Sequence, residues 1–525
     1  MSKAEVLVVG AGPTGLSLAI ELRRHGVSPR VIDQSSGLVP GSRAVALHSR
    51  TLEIFESMGI AAEVVSAGHK IHGASVYAEG KRILHFSFDE LDSPFPYALD
   101  LPQSLTERIL LRALTESGVT VERGSALTGL QQGSGGIQAF IQHGSGFPER
   151  WEGKYVVGCD GAFSTVRHVS SIPTENGAAI ETYVAAEVRL NSSLADDEWY
   201  LFFTEDGVLA CAPLTAGIWR IIGDQRIFPD SRAESVRAVV KANIGEVSEL
   251  EWIGTYGVQH RCAVRYQMDR VFLAGDAAHV YSPAGGQGMN AGIQDAHNLA
   301  WKLALAVQGK ASPAVLDSYG SERESTAHSV LGLTEQLSTV SNLRGPVSQR
   351  IRNRILPFLA QFEIFQQRIA RQVANASLNY RNSPIVSAHG RWYSPGPDPG
   401  DQALDATLAD GTRLFDRLPS TKHTVLLFTA EHPSAENLRG FSNIARYMRE
   451  GYPDDVRTIL ISRANVEWDG EHILDLGGSL HHRYGAGLPC SYVIRPDRYV
   501  GFRGLSAEPM PVLEYFGRLF ESAVA

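Results

Sequence analysis

The 525-residue sequence has no long apolar run, no basic cluster and few cysteines. No window approaches the roughly 18 consecutive apolar residues of a membrane span, so no membrane association is predicted. The 48 basic and 57 acidic residues give a net charge of −9, and without a lysine- or arginine-rich run a nucleic-acid partner is not expected. Residues 1–5 lead directly into a strand-like stretch, which leaves no room for a secretory signal and predicts a cytoplasmic protein.

The cysteines also lack any pattern that would indicate redox or metal chemistry. There is no C-x-x-C pair and no zinc-ligand spacing among Cys159, Cys211, Cys262 and Cys490. We therefore predict four buried, reduced thiols and no metal site. The chain also has no G-x-S-x-G sequence, the pattern that places the serine nucleophile of many hydrolases.

Strand and helix signals alternate at the start of the chain. Residues 6–9 form a compact apolar run, a helical pattern follows, and residues 30–32 form a second run, which together predict a βαβ unit of about 30 residues. Residues 155–157 and 271–274 predict further buried strands, each of which leads into a Gly/Asp pair.

The remaining length accommodates further domains, because the whole chain suits about three domains of roughly 150 residues. Short alternating runs between residues 175 and 267 predict an antiparallel sheet inserted into the α/β domain. Residues 286–375 are mostly helical in pattern, and residues 394–400 are a Pro/Gly-rich linker. Alternating strand and helix signals beyond residue 420 predict a small, separate α/β domain.

A glycine motif stands where a nucleotide-binding loop requires it. Gly10, Gly12 and Gly15 form G-x-G-x-x-G after a strand and at the start of a helix. The first glycine permits the tight turn, the second lets a pyrophosphate approach the backbone, and the third lets helix and strand pack closely. Asp33 ends the second strand and is placed to bind a ribose hydroxyl. The motif predicts a dinucleotide without distinguishing NAD from FAD.

Two further motifs, at residues 158–167 and 275–290, complete a recognisable set. With the first, they resemble the three fingerprints of the class A flavoprotein monooxygenases, the para-hydroxybenzoate hydroxylase-like aromatic hydroxylases, over roughly residues 4–340. The resemblance implies an α/β fold: a Rossmann-like FAD-binding domain, an inserted antiparallel β-sheet substrate domain, and a C-terminal thioredoxin-like domain.

On that basis the chain divides into three domains. The expected ranges are an FAD-binding domain with a helical extension at 1–73, 101–174 and 268–395, a substrate domain at 74–100 and 175–267, and the thioredoxin-like domain at 396–525. Residues 429–433 stand where a thioredoxin would carry its cysteine pair, and Cys490 has no partner in sequence. Dithiol exchange is therefore not expected, and a packing or assembly role is the better interpretation.

The resemblance also implies roles for individual residues. Asp276 would bind the ribityl chain of FAD, Pro283 would lie close to the flavin carbon that carries the peroxide, and Arg43 would contact the flavin phosphate or ring. Asp160 could instead cap a turn, and Gln103 or Arg43 could be ordinary surface residues. The predicted catalytic residues are Pro283 and Arg43. The predicted cofactor-binding residues are Gly10, Gly12, Gly15, Asp33, Arg43, Gln103, Asp160, Gly161, Asp276, Pro283, Gly286, Gly288, Met289 and Asn290.

The implied activity is that of an FAD-dependent monooxygenase. NADPH or NADH would be a transient co-substrate, since the chain has a single G-x-G-x-x-G, and dioxygen would form a flavin C4a-hydroperoxide that hydroxylates an aromatic or polycyclic phenolic substrate. Baeyer–Villiger or epoxidation chemistry with the same cofactor stays open, as does a non-catalytic, flavin-dependent ligand-binding protein. Flavin halogenation is disfavoured because no W-x-W-x-I-P stretch occurs, and homo-oligomerisation is left open.

A side-chain base is not assigned from the sequence. Val45 occupies the position where the phenol hydroxylase branch carries an aspartate, which weakens an assignment to simple phenols. His48 or His260 could act as the base, although each is more typical of ordinary packing. For the substrate pocket we predict Tyr200, Phe202 and Pro213 as walls, although the same alternation also describes sheet core.

Overall fold

The computed structural model describes residues 4–38, 44–176, 180–215, 217–259, 261–280, 286–326, 363–374, 378–390 and 395–521. These residues form two compact units of α/β architecture with mixed sheets. The first unit falls within Met1–Arg23, Ser28–Ala296 and Ala327–Ser377, and the second within Arg24–Val27, His297–Thr326 and Leu378–Ala525. In the described part of the chain, every helix is too short or too polar to cross a bilayer.

The strands are numbered along the chain. They are β1 (Val6–Val9), β2 (Arg30–Asp33), β3 (Ala46–Leu47), β4 (His69–Ile71), β5 (Gly73–Ala78), β6 (Lys81–Ser87), β7 (Ala98–Asp100), β8 (Val121–Arg123), β9 (Ser125–Gly133), β10 (Gly136–His143), β11 (Glu149–Gly153), β12 (Tyr155–Gly158), β13 (Thr174–Asn176), β14 (Glu181–Asn191), β15 (Glu198–Phe203), β16 (Val208–Pro213), β17 (Ile218–Asp224), β18 (Glu246–Val258), β19 (Arg261–Ala263), β20 (Gln267–Met268), β21 (Val271–Leu273), β22 (His279–Val280), β23 (Ser387–His389), β24 (His423–Phe428), β25 (Val456–Ser462), β26 (Glu471–Leu474), β27 (Cys490–Ile494) and β28 (Val500–Gly504).

The helices are numbered in the same way. They are α1 (Pro13–Arg24), α2 (Ser49–Ser57), α3 (Ala61–Ala67), α4 (Gln103–Glu116), α5 (Thr165–Val169), α6 (Ala233–Asn243), α7 (Gln287–Val307), α8 (Glu363–Val373), α9 (Leu414–Arg417), α10 (Ala435–Gly451), α11 (Ser479–Arg483) and α12 (Pro509–Leu519). Residues 313–326 are also helical, and Gly275–Ala277 form a 3₁₀ turn.

A six-stranded sheet with the order β20-β21-β12-β1-β2-β8 forms the centre of the first unit. The strands from β21 to β8 are parallel, and β20 is antiparallel. All four residues of β1 are buried, as expected when both faces of a parallel sheet are covered. The predicted strands at residues 6–9, 30–32, 155–157 and 271–274 are confirmed to within a residue at their ends. The carboxyl ends of β21, β12 and β1 therefore lie side by side.

The second large sheet of this unit has seven strands, in the order β18-β14-β17-β16-β15-β5-β6. Its strands are antiparallel except for the β15–β5 pair. The predicted antiparallel sheet within residues 175–267 is confirmed for β14–β18, and β5 and β6 extend it from earlier in the chain. One face packs on α6 through a core that includes Val236 and Val240.

Three smaller sheets complete the first unit. They are β3-β7-β4, β11-β10-β9 and β13-β19-β22. The strands β9 and β10 form a hairpin, since β9 ends at Gly133 and β10 begins at Gly136. The β3-β7-β4 sheet is important for the site, because it pairs Asp100 with Ala46 on one side and His69 on the other.

The second unit contains a six-stranded sheet with the order β23-β28-β27-β24-β25-β26. Its central strand β24 is parallel to β25 and antiparallel to β27, and β27 is antiparallel to β28. Every residue of β24 is buried. The alternation of strands and helices predicted beyond residue 420 is confirmed by β24, β25 and β27 and by the helices α10 and α11 between them.

The cysteine prediction is also confirmed. All four cysteines are free and buried. Burial raises the pKa of the Cys159 and Cys211 thiols well above the usual value, which disfavours the reactive thiolate.

Candidate active site

The glycine loop after β1 has the tight geometry that its sequence predicts. Gly10 has a φ of +103°, and its amide donates to the carbonyl of Ile32 at 2.8 Å. A Cβ on Gly10 would overlap the carbonyl oxygen of Cys159, and a Cβ on Gly15 would overlap that of Gly10. Gly12 differs, because apart from its chain neighbours no described residue has a heavy atom within 4 Å of the position of its Cβ. The loop thus packs tightly on one side and is open at Gly12.

Asp33, at the end of β2, supports the same loop. Its carboxylate accepts a hydrogen bond from the amide of Ala11 at 2.6 Å and one from the amide of Ser35 at 2.8 Å. The guanidinium of Arg123 is 3.6 Å from the carboxylate. The side chain is therefore adjacent to the loop, as a ribose ligand would need to be, and it also fixes the loop's conformation. Its role toward a ribose stays a prediction.

The second motif follows β12. The Asp160 carboxylate accepts bonds from the Ser164 hydroxyl at 2.5 Å and the Val166 amide at 3.0 Å, so it does close the turn into α5. Burial raises the pKa of this carboxyl despite those bonds. Gly161 has a φ of +81° and, like Gly12, open space where a Cβ would lie.

The third motif follows β21 and is held by a buried pair. Asp295 accepts the amide of Gly275 at 2.9 Å and contacts the His279 ring nitrogen at 2.6 Å. Arg167 joins this motif to the second one by donating to the carbonyls of Ala277 at 2.6 Å and Ala162 at 2.9 Å. Asp276 is exposed in the 3₁₀ turn that follows β21, and its role toward the ribityl chain stays a prediction.

The start of α7 is held by an asparagine. Asn290 is fully buried and donates to the carbonyls of Ala46 at 2.8 Å and Gly286 at 2.7 Å. Its oxygen accepts the amide of His48 at 2.9 Å and the hydroxyl of Thr51 at 2.6 Å. The protein itself therefore uses the side-chain amide fully, and any contribution of Asn290 to cofactor binding would act through the geometry of the helix start.

The glycines and methionine beside Asn290 differ in their surroundings. Gly286 has a φ of +64°, and a Cβ there would approach that of Ala46. Apart from its own helix, no described residue has a heavy atom within 4 Å of the Cβ position at Gly288, whereas Met289 is buried. Gly288 is thus a third position, after Gly12 and Gly161, where the backbone borders open space.

Gln103 begins α4 close to this region. Its amide donates to the carbonyl of Ala44 at 3.0 Å, and its side chain donates to Glu107 at 2.8 Å. Burial raises the pKa of the Glu107 carboxyl. Gln103 is thus partly buried and engaged with its own helix, and its place near the flavin stays a prediction.

Several predicted residues fall on segments that the structure does not describe. Arg43 and Pro283, the two predicted catalytic residues, lie outside the described residues, as does the candidate base His260. Their roles stay predictions.

The seven-stranded sheet places the predicted pocket residues on its core side. Tyr200 and Phe202 pack with Trp219 in the core against α6, and Pro213 is buried on the neighbouring strand. The Tyr200 hydroxyl donates to the carbonyl of Ala195 at 3.2 Å. The sheet-core interpretation thus describes Tyr200 and Phe202, and the opposite face is the better candidate for a pocket wall.

That opposite face carries polar and aromatic side chains, and we call it the polar face. It is defined by Glu187, Trp199, Arg220, Trp252 and Tyr256, which alternate with residues of the α6 core along their strands. Arg220 is 1% exposed and forms an ion pair with Glu187. Its guanidinium lies over the Trp252 ring at 5.4 Å.

Asp100 on β7 contacts the polar face through Trp199. The indole nitrogen donates to Asp100 Oδ2 at 2.9 Å, and the Trp199 ring meets His48 edge-on at 5.9 Å. Burial raises the pKa of Asp100 to about 7, while the Trp199 bond and the charge of Arg220 act to lower it. A carboxyl with such a pKa can exchange protons near neutral pH.

Comparison with known proteins identifies this arrangement. The FAD binding domain family matches residues 3–334. Over 95% of its length the chain is 32% identical to 6-methylpretetramide 4-monooxygenase of Streptomyces rimosus, covering 90% of that protein. It is also 32% identical over 95% of its length to pentachlorophenol 4-monooxygenase of Sphingobium chlorophenolicum, covering 94% of that protein. The chain belongs to the class A flavoprotein monooxygenases.

A solved structure agrees with the assignment. This monooxygenase superposes on OxyS anhydrotetracycline hydroxylase from Streptomyces rimosus with a TM-score of 0.75 and 26% sequence identity. The match covers 98% of this chain and 99% of that one. The predicted family, its FAD cofactor and its enzyme class are therefore confirmed.

FAD fits the described residues of the monooxygenase. Gly12, Gly161 and Gly288 all border space that a Cβ would enter, and the motifs that contain Gly12 and Gly161 follow neighbouring parallel strands. The amino end of α1 also supplies backbone donors suited to phosphate groups. These features are those of a cradle for a long, flat, phosphorylated cofactor.

Sequence reasoning missed one residue of the site, Asp100. The signal was present, because a charged residue interrupts the apolar stretch Ala98–Leu101 just before Gln103. A carboxylate flanked by strand residues is ordinarily exposed. Its burial became visible only once β3 and β4 had been placed on either side of it.

Proposed function

We propose that this monooxygenase uses NAD(P)H and dioxygen to hydroxylate an aromatic or polycyclic phenolic compound. The observation that carries the proposal is the pairing, within one compact unit, of three strand-end motifs suited to FAD with a sheet face rich in aromatic and polar groups. The fold thus supplies both a cofactor cradle and a wall for a ring-shaped substrate.

The chain's own residues would bind and orient the cofactor. The loop at Gly10–Gly15 and the amino end of α1 would hold the pyrophosphate, and Asp33 would bind a ribose. Asp276, at the exposed strand end, would hold the ribityl chain. When bound, FAD supplies hydride acceptance from NAD(P)H and activation of dioxygen for transfer of one oxygen atom.

The substrate class is inferred from relatives and from the polar face. Two relatives that match over 95% of the chain are named for 6-methylpretetramide and pentachlorophenol, and one that matches over 62% is named for 12-dehydrotetracycline and anhydrotetracycline. The name pentachlorophenol specifies a phenolic hydroxyl. Trp199 and Trp252 offer flat apolar contact, and Arg220 offers a positive charge for a phenolate oxygen. We infer a substrate that carries at least one phenolic hydroxyl.

The proposal is tested on purified protein loaded with FAD. Consumption of NADPH and of NADH is measured with and without a panel of phenols, naphthols and polyketide aromatics under ¹⁸O₂. Stimulated consumption and a product heavier by one ¹⁸O atom are expected, and the product's NMR spectrum separates hydroxylation from ring expansion or epoxidation. Flavin-bound protein whose NAD(P)H oxidation is unaffected by every compound, with no labelled product, contradicts the proposal.

We further propose that residues 396–525 form a thioredoxin-like domain without redox chemistry. The support is the strand order β25-β24-β27-β28, with one parallel pair and two antiparallel pairs, and helices between β24 and β25 and after β28. At the end of β24, the Thr429 carbonyl is 3.1 Å from the ring of His481, and the other ring nitrogen is 2.7 Å from Asp475. The side chains of His481 and Asp475 thus bond within the domain itself, which supports a structural or assembly role. The FAD-binding and substrate domains keep their predicted boundaries as proposals.

A further inference from the structure

One carboxylate oxygen of Asp100 is buried without a hydrogen bond. Asp100 is 1% exposed, Oδ2 accepts from Trp199, and Oδ1 has no hydrogen-bond partner in the described part of the chain. An unsatisfied buried acceptor is costly, and such groups are rare in folded proteins. A buried oxygen that accepts nothing from the protein is a candidate acceptor for a group from outside it.

The surroundings of Asp100 also indicate a site for a group from outside the protein. On the polar face, the Tyr256 hydroxyl is also buried without a hydrogen-bond partner in the described residues, and burial raises the Tyr256 pKa to about 12. Ala212, opposite Arg220 on the adjacent strand, is small and partly exposed. The polar face and the adjacent Asp100 therefore combine two buried polar groups that lack a partner in the described residues with a buried cation.

Asp100 also lies on the side of the fold where the flavin motif at the start of α7 is found. Trp199 contacts the ring of His48, whose backbone amide bonds to Asn290 of α7. A Cβ on Gly286 would lie 3.9 Å from His48 Nε2. A short chain of contacts therefore connects the Asp100 carboxylate with Gly286 and Asn290 at the start of α7.

The charges that act on Asp100 come from a small set of neighbours. Its cross-strand partner on β3 is Ala46, which carries no charge, and its partner on β4 is His69, whose ring bonds to the carbonyl of Asp196. Trp199 of β15 donates a neutral hydrogen bond, and Arg220 of β17 is the charged group whose field favours the carboxylate.

Resting on the proposed function, we propose that Asp100 is the acid–base residue for a substrate hydroxyl on the polar face. The substrate O–H bond breaks, its proton goes to Oδ1 of Asp100, and the electron pair stays on the substrate oxygen. The resulting phenolate ring is richer in electrons and accepts electrophilic oxygen more readily. Asp100 returns the proton to the same oxygen before the product leaves, so the residue is unchanged after turnover.

The physical setting suits this task. Burial destabilises the charged carboxylate, which makes Asp100 a stronger base than an exposed aspartate. Arg220 stabilises negative charge, whether that charge is on the carboxylate or on the substrate oxygen. Asp100 and Arg220 thus place a proton acceptor beside a positive charge, and both side chains are 1% exposed.

The test measures binding rather than turnover, with 2-naphthol as probe and its ether 2-methoxynaphthalene as the matched control. Dissociation constants for FAD-loaded protein are determined by fluorescence between pH 6 and pH 8. If ionised Asp100 accepts the naphthol proton, affinity tracks the ionised fraction of a group with a pKa of about 7 and rises about tenfold across this range. The ether has no proton to donate, so its affinity should stay constant.

Two variants and one control assign that pH dependence. Asp100→Asn keeps an acceptor for Trp199 but cannot titrate, so the tenfold rise should vanish. Trp199→Phe removes the bond that lowers the Asp100 pKa, so the midpoint of the rise should move to higher pH. The control is Glu198→Gln, which is as conservative as Asp100→Asn. Glu198 precedes Trp199 on β15 and faces the other side of the sheet, where its carboxylate accepts a hydrogen bond from Ser75 at 2.6 Å. It should retain the wild-type profile.

The outcomes separate this inference from the proposed function. A wild-type profile in Asp100→Asn, an unshifted midpoint in Trp199→Phe, or equal pH dependence for naphthol and ether overturns the role of Asp100. So does a wild type that binds neither probe while a phenol still stimulates its NAD(P)H oxidation. If naphthol binding shows the expected profile but no compound stimulates NAD(P)H oxidation, the proposed function fails and the Asp100 site stands.

Discussion

Replacing Asn290 with alanine separates two roles that the residue could have in this monooxygenase. The family resemblance predicts a cofactor ligand, whereas the structure shows a side-chain amide whose two protons and oxygen are all bonded within the protein. A ligand would affect FAD binding alone. A residue that supports the fold, which we call a brace, would affect the stability of the protein before any FAD is bound. We expect Asn290 to be a brace.

The magnitude follows from the four hydrogen bonds. Asn290→Ala removes the hydrogen-bond partner of four groups: the amide of His48, the hydroxyl of Thr51 and the carbonyls of Ala46 and Gly286. His48 and Thr51 are fully buried. At about 1 kcal/mol per bond, with an added penalty for groups that water cannot reach, the free energy of unfolding should fall by about 3–5 kcal/mol. In a unit of this size the melting temperature should fall by about 5 °C.

The assay is differential scanning calorimetry of FAD-free protein at a fixed scan rate, followed by titration with FAD. The matched control is Asn243→Ala, because Asn243 is exposed at the end of α6 and makes one bond, to the carbonyl of Val239 at 2.9 Å. The control should change stability by less than about 0.5 kcal/mol. An FAD-free Asn290→Ala protein that melts with the wild type, yet binds FAD weakly, would refute the bracing role.

Three further predictions concern the cofactor cradle and the buried carboxyl. Gly12→Ala should leave the FAD-free melting temperature unchanged, because in the described part of the chain its Cβ would meet only its own chain neighbours, yet abolish FAD retention on gel filtration; retained flavin would show that the pyrophosphate binds elsewhere. Asp276→Ala should likewise purify without FAD, and since the residue is exposed, stability should change by less than about 0.5 kcal/mol; stoichiometric flavin would contradict its role. The folded-state pKa of Asp100, about 7, exceeds its unfolded value, so this group stabilises the fold less as pH rises from about 4 to 7. Asp100→Asn should therefore raise the FAD-free melting temperature more at pH 8 than at pH 5, and an equal effect at both values would show that the carboxyl titrates normally.

Local patterns were sufficient to predict the strands and the glycine loop. The apolar run at residues 6–9 and the glycines that follow it describe contacts between near neighbours, and such contacts depend on local geometry. Tight packing at Gly10 and Gly15 was predictable because a turn from strand to helix leaves no space for a side chain. The family followed from three motifs in order, and each motif is a short segment.

The substrate face could not be predicted in the same way. Tyr200 and Phe202 alternate with Trp199 and Leu201, and alternation shows that a strand has two faces without showing which one meets α6. That choice depends on where α6 packs, more than 30 residues further along the chain. The sequence alone therefore predicted that the pocket residues lie on a strand, but it did not show which face of the sheet they occupy.

By itself, the sequence indicated a flavin cofactor, because three short motifs resemble, in order and spacing, the fingerprints of the class A flavoprotein monooxygenases. Only the tertiary structure decided that Asn290 is a brace and that Asp100 is a buried carboxyl with an unused oxygen. Both properties depend on partners that are far away in the sequence: Ala46 lies 54 positions from Asp100 and 244 from Asn290, and Trp199 lies 99 positions from Asp100. Burial and the pKa it shifts come from the surroundings of a residue in space, and those surroundings do not exist until the sheets have assembled.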